Sequence, residues 1–274
     1  MEIRLAVMEQ VLPIFELEGD EFDAAAAVFV AQRSTELSEH DTSRTVGHDH
    51  GGTEEYISSE TEMLSSTLFS RPYYLDDLSA YTTSFEIVKG DFENLKAKFS
   101  VDKAYLNAVI RGANAGQARY FKSIRGNLLE YSNILADVIS DDEESPRISI
   151  ADLKRVAICQ ERAAVVHNTL QIFGIDSRFE AGDLSVKNED GSVDSEHHAF
   201  ITFSNNEGER YVFDPTNPVI TKDGDGNIIS LAPNLIKVQP DSPGHVVGTL
   251  KSYGITDGKR VETRKREITY DLDL

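Results

Sequence analysis

The sequence predicts an α+β fold, on three observations. The first is a change of period. Before Gly174 the apolar residues recur every three or four positions, as on one face of a helix, and after it they tend to alternate. The second is punctuation. In the second half the clusters NEDGS, NNEGE and KDGDGN separate short runs rich in β-branched and aromatic residues. The third is composition: 40% hydrophobic and 27% charged residues suffice to bury a core. Helices followed by antiparallel strands, with no repeat of about 20–50 residues, point to α+β rather than to a solenoid or propeller.

The elements follow in order. Residues 1–33 predict a strand or short helix, then a helix through FDAAAAVFVAQ, where the alanines favour helix. Residues 34–54 carry almost no large apolar side chain and predict a mobile loop. Residues 57–90 show no clear period. DFENLKAKF, from Asp91, predicts a short amphipathic helix. The stretch from Val101 to Ile139 predicts another, with Leu128, Leu129, Ile134 and Val138 on its apolar face and Gly112 and Gly116 as possible interruptions. SDDEESPR (140–147) has loop chemistry and marks a boundary. Beyond Ser149 the register is helical up to Gly174, which stands where a C-terminal capping glycine belongs. SRFEAG, HHAFITFS, RYVFDPT and NIISL predict strands, and RVETRKREITYDLDL adds a last one. The expected division is an N-terminal region, 1–90, with its mobile loop, and a unit over 91–274.

Charge excludes some functions. With 27 basic and 47 acidic residues the net charge is −20, a field that repels nucleic acid and anionic membrane surfaces. No apolar run has the length of a membrane span. The N-terminus lacks the basic start and small-residue cleavage site of a signal peptide. The single cysteine forms no internal disulfide, so a cytoplasmic location is expected.

That cysteine, Cys159, lies in VAICQERAAVVHNTLQIFG. Cys159, Ala163, Val166, Leu170 and Phe173 share one helical face, which describes a buried core residue. Downstream residues offer a second reading. A cysteine nucleophile works as thiolate and needs a base, and the base needs a group to orient it. SEHHAFITF supplies His197 or His198, and RYVFDPT supplies Asp214. If the two strands pair through NNEGE, His198 and Asp214 reach the same open end of a hairpin. There the carboxylate can fix the tautomer of the ring.

The ordered set resembles the transglutaminase-like superfamily of cysteine enzymes. It comprises Cys159 before QERAA, Gly174-Ile175, Ser177-Arg178, His198-Ala199-Phe200 and Phe213-Asp214-Pro215-Thr216. The resemblance covers roughly residues 150–220. It implies a papain-like core in which the cysteine-bearing helix packs on an antiparallel sheet. It further implies Cys159 as nucleophile, His198 as general base and then acid, and Asp214 as orienter. The implied reaction attacks an amide of a protein or peptide substrate through a thioester. Water as acceptor gives proteolysis or deamidation, and an amine gives acyl transfer. The chemistry requires no cofactor and no metal. The other reading is a non-catalytic interaction module on the same fold. Neither choice fixes an oligomeric state.

The match to His-Ala-aromatic selects His198 over His197, since neighbours on a strand point to opposite faces. The family often has a glycine just before the cysteine; here Ala157 stands two before it, and no Gly or Pro lies between Pro146 and Gly174. The chain is nevertheless expected to break at Ala157-Ile158, so that Cys159 opens its helix. Phe200 replaces a commoner Trp, and the chain has no Trp, which leaves the Cys159 backbone N–H as the default oxyanion donor. His167 is read as a packing or surface residue. DGDGN has Ile228 and Asn234 where an EF-hand needs Gly and Glu, so it reads as a hairpin turn. GHDHGG, with His48, Asp49 and His50, fits no structural zinc spacing. Arg119, Lys122 and Arg125 read as ion-pairing residues.

Overall fold

The computed structural model describes residues 2–40, 73–74, 78–121, 148–149 and 153–272. Among these, five helices and an eight-stranded sheet make a mixed α+β fold. The helices are α1 (Glu2–Phe15), α2 (Gly19–His40), α3 (Ser79–Lys96), α4 (Val101–Tyr120) and α5 (Cys159–Ile172). The strands β1 (Tyr73–Tyr74) and β2 (Ile148–Ser149) form a separate parallel pair. The large sheet holds β3 (Ser177–Lys187), β4 (Val193–Ser204), β5 (Arg210–Phe213), β6 (Val219–Lys222), β7 (Ile228–Ala232), β8 (Leu235–Lys237), β9 (His245–Thr256) and β10 (Lys259–Leu272). Its order is β7-β6-β9-β10-β3-β4-β5-β8, antiparallel except for β6 beside β9.

Several expectations change. Of the two alternatives for the N-terminus, helix is the one observed, from Glu2. Helix α2 continues through residues 34–40, which composition assigned to the loop. Exposed helical positions are as polar as loop positions, and Thr35 and Glu36 sit on the solvent side with their bonds made inside the helix. The remainder of the expected loop, with His48, Asp49 and His50, lies outside the described residues. So do Lys122, Arg125, the four apolar positions from Leu128 to Val138, and SDDEESPR. Gly112 and Gly116 do not interrupt α4; a Cβ at either would meet Val88 or Ser84 of α3 at 2.3 and 1.9 Å. They are the price of close helix packing. Strands β6, β8 and β9 were not expected from their short or glycine-interrupted apolar pattern.

Three hairpin turns share one construction. The N–H of Asn188, Asn205 and Asp223 each donates to the carbonyl four residues on, at 2.8–2.9 Å. In each the fourth residue is a glycine with positive φ: Gly191, Gly208 and Gly226. Asp223 spends Oδ1 on the N–H groups of Asp225 and Asn227, so DGDGN is a turn, as read.

The sheet is covered on both sides along β4. Its residues His198–Phe203 are all buried, while Val193–His197 are exposed. Ala199, Ile201 and Phe203 join Phe179 and Phe213 in the main core beneath the helices. Phe200 faces the other way, into a smaller core with Leu184, Val212, Ile268 and Tyr270. The main core is continuous from Val7 to Phe213. At its centre Phe85 touches Phe15, Phe22, Phe29 and Phe173, with ring centroids 5.1–5.8 Å apart. Thus α1, α2 and α3 clamp the C-terminal end of α5, whose other end carries Cys159.

Candidate active site

Cys159 is the first residue of α5. Two backbone bonds close a turn before it, from Val156 and Ala157 N–H to the Leu153 carbonyl. Ile158 then extends (φ −98, ψ −162), and its N–H is held by the Glu161 carboxylate at 2.8 Å. The expected break at Ala157-Ile158 is present without a glycine. A buried acid in the first turn satisfies the free N–H and complements the positive end of the helix dipole. The far end is capped in kind. Ile175 N–H donates to Leu170 O at 2.8 Å and Gly174 N–H to Gln171 O at 3.0 Å, with Gly174 at φ +74. This is a Schellman motif. Arg33 of α2 adds its Nε to the Ile172 carbonyl at 3.3 Å, a cation at the negative end.

β4 and β5 pair from Ile201↔Phe213 to Ser204↔Arg210. The pairing stops there, so His198 on one strand and Asp214 after the other meet at the open end of the hairpin. His198 Nε2 donates to Asp214 Oδ2 at 2.9 Å. Both side chains are sealed from solvent, at 2% and 1% exposure. Because an ionised carboxylate only accepts, Nε2 carries the proton, and the remaining nitrogen is Nδ1. Cys159 is the other group that acts on the ring, by its charge and by hydrogen bonding. Nδ1 also lies 3.6 Å from Glu196 Oε1, on an exposed side chain. Cys159 itself is half-buried.

Asp214 collects five donors. Oδ1 accepts the N–H groups of Thr216 and Asn217 at 2.8 and 3.2 Å. Oδ2 accepts His198 Nε2, Asn217 Nδ2 at 2.8 Å and the Tyr270 hydroxyl at 2.8 Å. Burial works against the charge of Asp214, but His198 and these bonds outweigh it and hold the carboxyl below its ordinary value. Burial likewise works against the imidazolium of His198. The charges of Asp214 and then Cys159, with hydrogen bonds to both, outweigh it and raise the ring well above its ordinary value. The two directions agree: each group favours the charged form of the other, as in an ion pair.

A second polar chain ties the parts together. Arg162, one turn along α5, donates Nη1 to Gln117 Oε1 at 3.1 Å, and Gln117 Nε2 donates to the Pro215 carbonyl at 3.2 Å. The guanidinium lies over the Phe121 ring. Burial lowers it to about 10, while Glu161 and Cys159 favour its charge. So α4 links the cysteine helix to the loop after Asp214.

All three sequence-derived residues, Cys159, His198 and Asp214, come together. His197 points to the opposite side, exposed and 3.0 Å from Asp183. His167 bonds Ser177 and takes no part. Sequence reasoning missed Tyr270, Asn217, Gln117, Arg162 and Glu196. Asn217 had a signal, since Asp-Pro-Thr-Asn is good Asx-turn chemistry. Tyr270 had none: it lies 56 residues from Asp214 on a strand that no local pattern connects to the site. Among the described residues no cluster of His, Cys, Asp and Glu suits a metal ion, and no helix is long and apolar enough to cross a membrane. Comparisons of the chain with protein-family models, with curated proteins and with solved structures find no match.

Proposed function

We propose that the chain is a transglutaminase-like cysteine enzyme acting on an amide, a peptide bond or a glutamine side chain, through a thioester on Cys159. The observation that carries this reading is the chain of contacts from Cys159, opening a helix, to His198 and on to the sealed Asp214. The packing of α5 on β3 and β4, with His198 and Asp214 presented at the mouth of one hairpin, supports a papain-like core. A core histidine with only a structural role has no need of a cysteine beside it and a five-donor carboxylate on Nε2.

In this reading His198 Nδ1 holds the proton taken from Cys159, and the thiolate sulfur attacks the amide carbonyl carbon. The backbone N–H of Cys159, free of an intrahelical partner, faces the developing oxyanion. His198 passes its proton to the departing nitrogen. The C–N bond breaks, an amine or ammonia leaves, and the acyl group remains on sulfur. Water or a primary amine then attacks the thioester, losing a proton to His198, and the thiol is restored. Asp214 keeps Nε2 protonated throughout, so Nδ1 is the working nitrogen in both steps.

The test is incubation with a glutamine-containing protein and a labelled primary amine. Label incorporation marks acyl transfer, ammonia without incorporation marks deamidation, and new N-termini mark proteolysis. None of the three, with Cys159 intact and the protein folded, would leave the fold as an interaction module.

A further inference from the structure

We propose that Tyr270 is a positioning residue that sets the proton affinity of His198 through Asp214, so that the imidazolium can give its proton up to the departing nitrogen. The inference rests on the catalytic reading above for its purpose, and on geometry for its substance. Tyr270 is fully buried on β10, and its hydroxyl donates to Oδ2, the same oxygen that receives Nε2–H of His198. Its ring is fixed edge-on to Phe200, two residues along β4 from His198, with centroids 5.0 Å apart. Burial, followed by the charge of Asp214, pushes the phenol well above its ordinary value, so it acts as a neutral donor.

A carboxylate oxygen shared among donors offers less negative charge to each. A buried Asp beside a buried His with no other partner would hold the imidazolium so firmly that the ring could not serve as an acid toward the departing amine. The O–H of Tyr270 draws off part of that charge. It also fixes Oδ2 in the position that Nε2 needs. The other groups facing His198 are Cys159 from α5 and Glu196 from its own strand, at 3.6 Å from Nδ1. The residue opposite on β3 is Gly182, which is uncharged. These neighbours are common to the variants compared.

The experiment is an NMR titration of the His198 ring in the whole chain, carried in Cys159→Ser so that the thiol does not titrate alongside it, with the resonance assigned by its loss in His198→Gln. Tyr270→Phe removes one donor and should raise the His198 midpoint by about half a pH unit or more. Tyr270→3-fluorotyrosine keeps the shape, makes a stronger donor and should lower the midpoint by a few tenths of a unit, roughly. The two shifts have opposite signs. If Tyr270→Phe fails to fold, the fluorinated variant still decides. An unmoved midpoint, or shifts of the same sign, overturns the inference and leaves Tyr270 as packing. Shifts as expected in a protein that turns over no amide would overturn the enzyme reading alone. Turnover with no shift would overturn this inference alone.

Discussion

Asp214→Asn is the most informative single change to the site. It conserves volume and removes one charge. The carboxylate accepts five donors, two on Oδ1 and three on Oδ2. An amide has one acceptor oxygen. The backbone N–H groups of Thr216 and Asn217 cannot turn away, so they claim that oxygen, and the NH2 group lands where Oδ2 was. Tyr270 can rotate its hydroxyl and Asn217 can flip its amide. His198 can only respond by giving up its Nε2 proton and keeping the one on Nδ1. A neutral pair replaces a buried ion pair. Removing one partner of such a pair costs about 3–5 kcal/mol, and the partial repair places this one near the lower figure. For a chain of this size about 3 kcal/mol lowers Tm by roughly 6–12 °C. The cost must depend on pH. The raised His198 contributes stability that is full below its unfolded value of 6.5 and lost as pH rises through the folded value. The lowered Asp214 contributes stability that is full above 3.8 and lost as pH falls through its folded value. The gap between wild type and variant is therefore widest between 3.8 and 6.5 and narrows above 6.5. Thermal melts of both proteins at pH 5.5 and pH 9 read it directly. A cost below about 1 kcal/mol, or one equal at the two pH values, would refute the buried ion pair.

Four further changes test the frame around the site. His197→Ala should cost less than about 1 kcal/mol by urea denaturation and leave Cys159 reactivity unchanged, because its partner Asp183 is an exposed one. Gly182→Ala places a Cβ 2.1 Å from the Asp271 carbonyl oxygen of β10 and should cost about 1–3 kcal/mol or more. The same denaturation assay should find Gly224→Ala, with nothing within 4 Å, within about 0.5 kcal/mol of wild type. Arg33→Met uncaps α5 and should cost about 1 kcal/mol, with hydrogen exchange faster in the last turn of that helix and unchanged in β9.

What the sequence disclosed follows the range of the interactions. The period-two runs gave β3, β4, β5, β7 and β10, and glycine punctuation gave the turns, because both are local. Cys159, His198 and Asp214 were legible because they lie in ordered, chemically distinctive strings. Its buried support was not. Tyr270 reaches Asp214 only because β10 lies beside β3, and Gln117 reaches Pro215 only because α4 crosses the hairpin mouth. Helix-breaking residues are a poor guide to helix starts here: the break before Cys159 depends on the Glu161 carboxylate three residues on, and Gly112 and Gly116 serve packing instead. Polar composition concealed the end of α2 for the same reason, since it reports exposure rather than conformation.

The alkylation rate of Cys159 by iodoacetamide at pH 6, compared with a cysteine peptide and with His198→Ala, tests the central claim most directly. An ordinary thiol with a value near 8.5 is only about 0.3% thiolate at that pH. Activated by His198, Cys159 should react at least about tenfold faster than the peptide, and the substitution should erase the difference. A rate equal to that of the peptide, unchanged in His198→Ala, would contradict the assignment of Cys159 as a nucleophile.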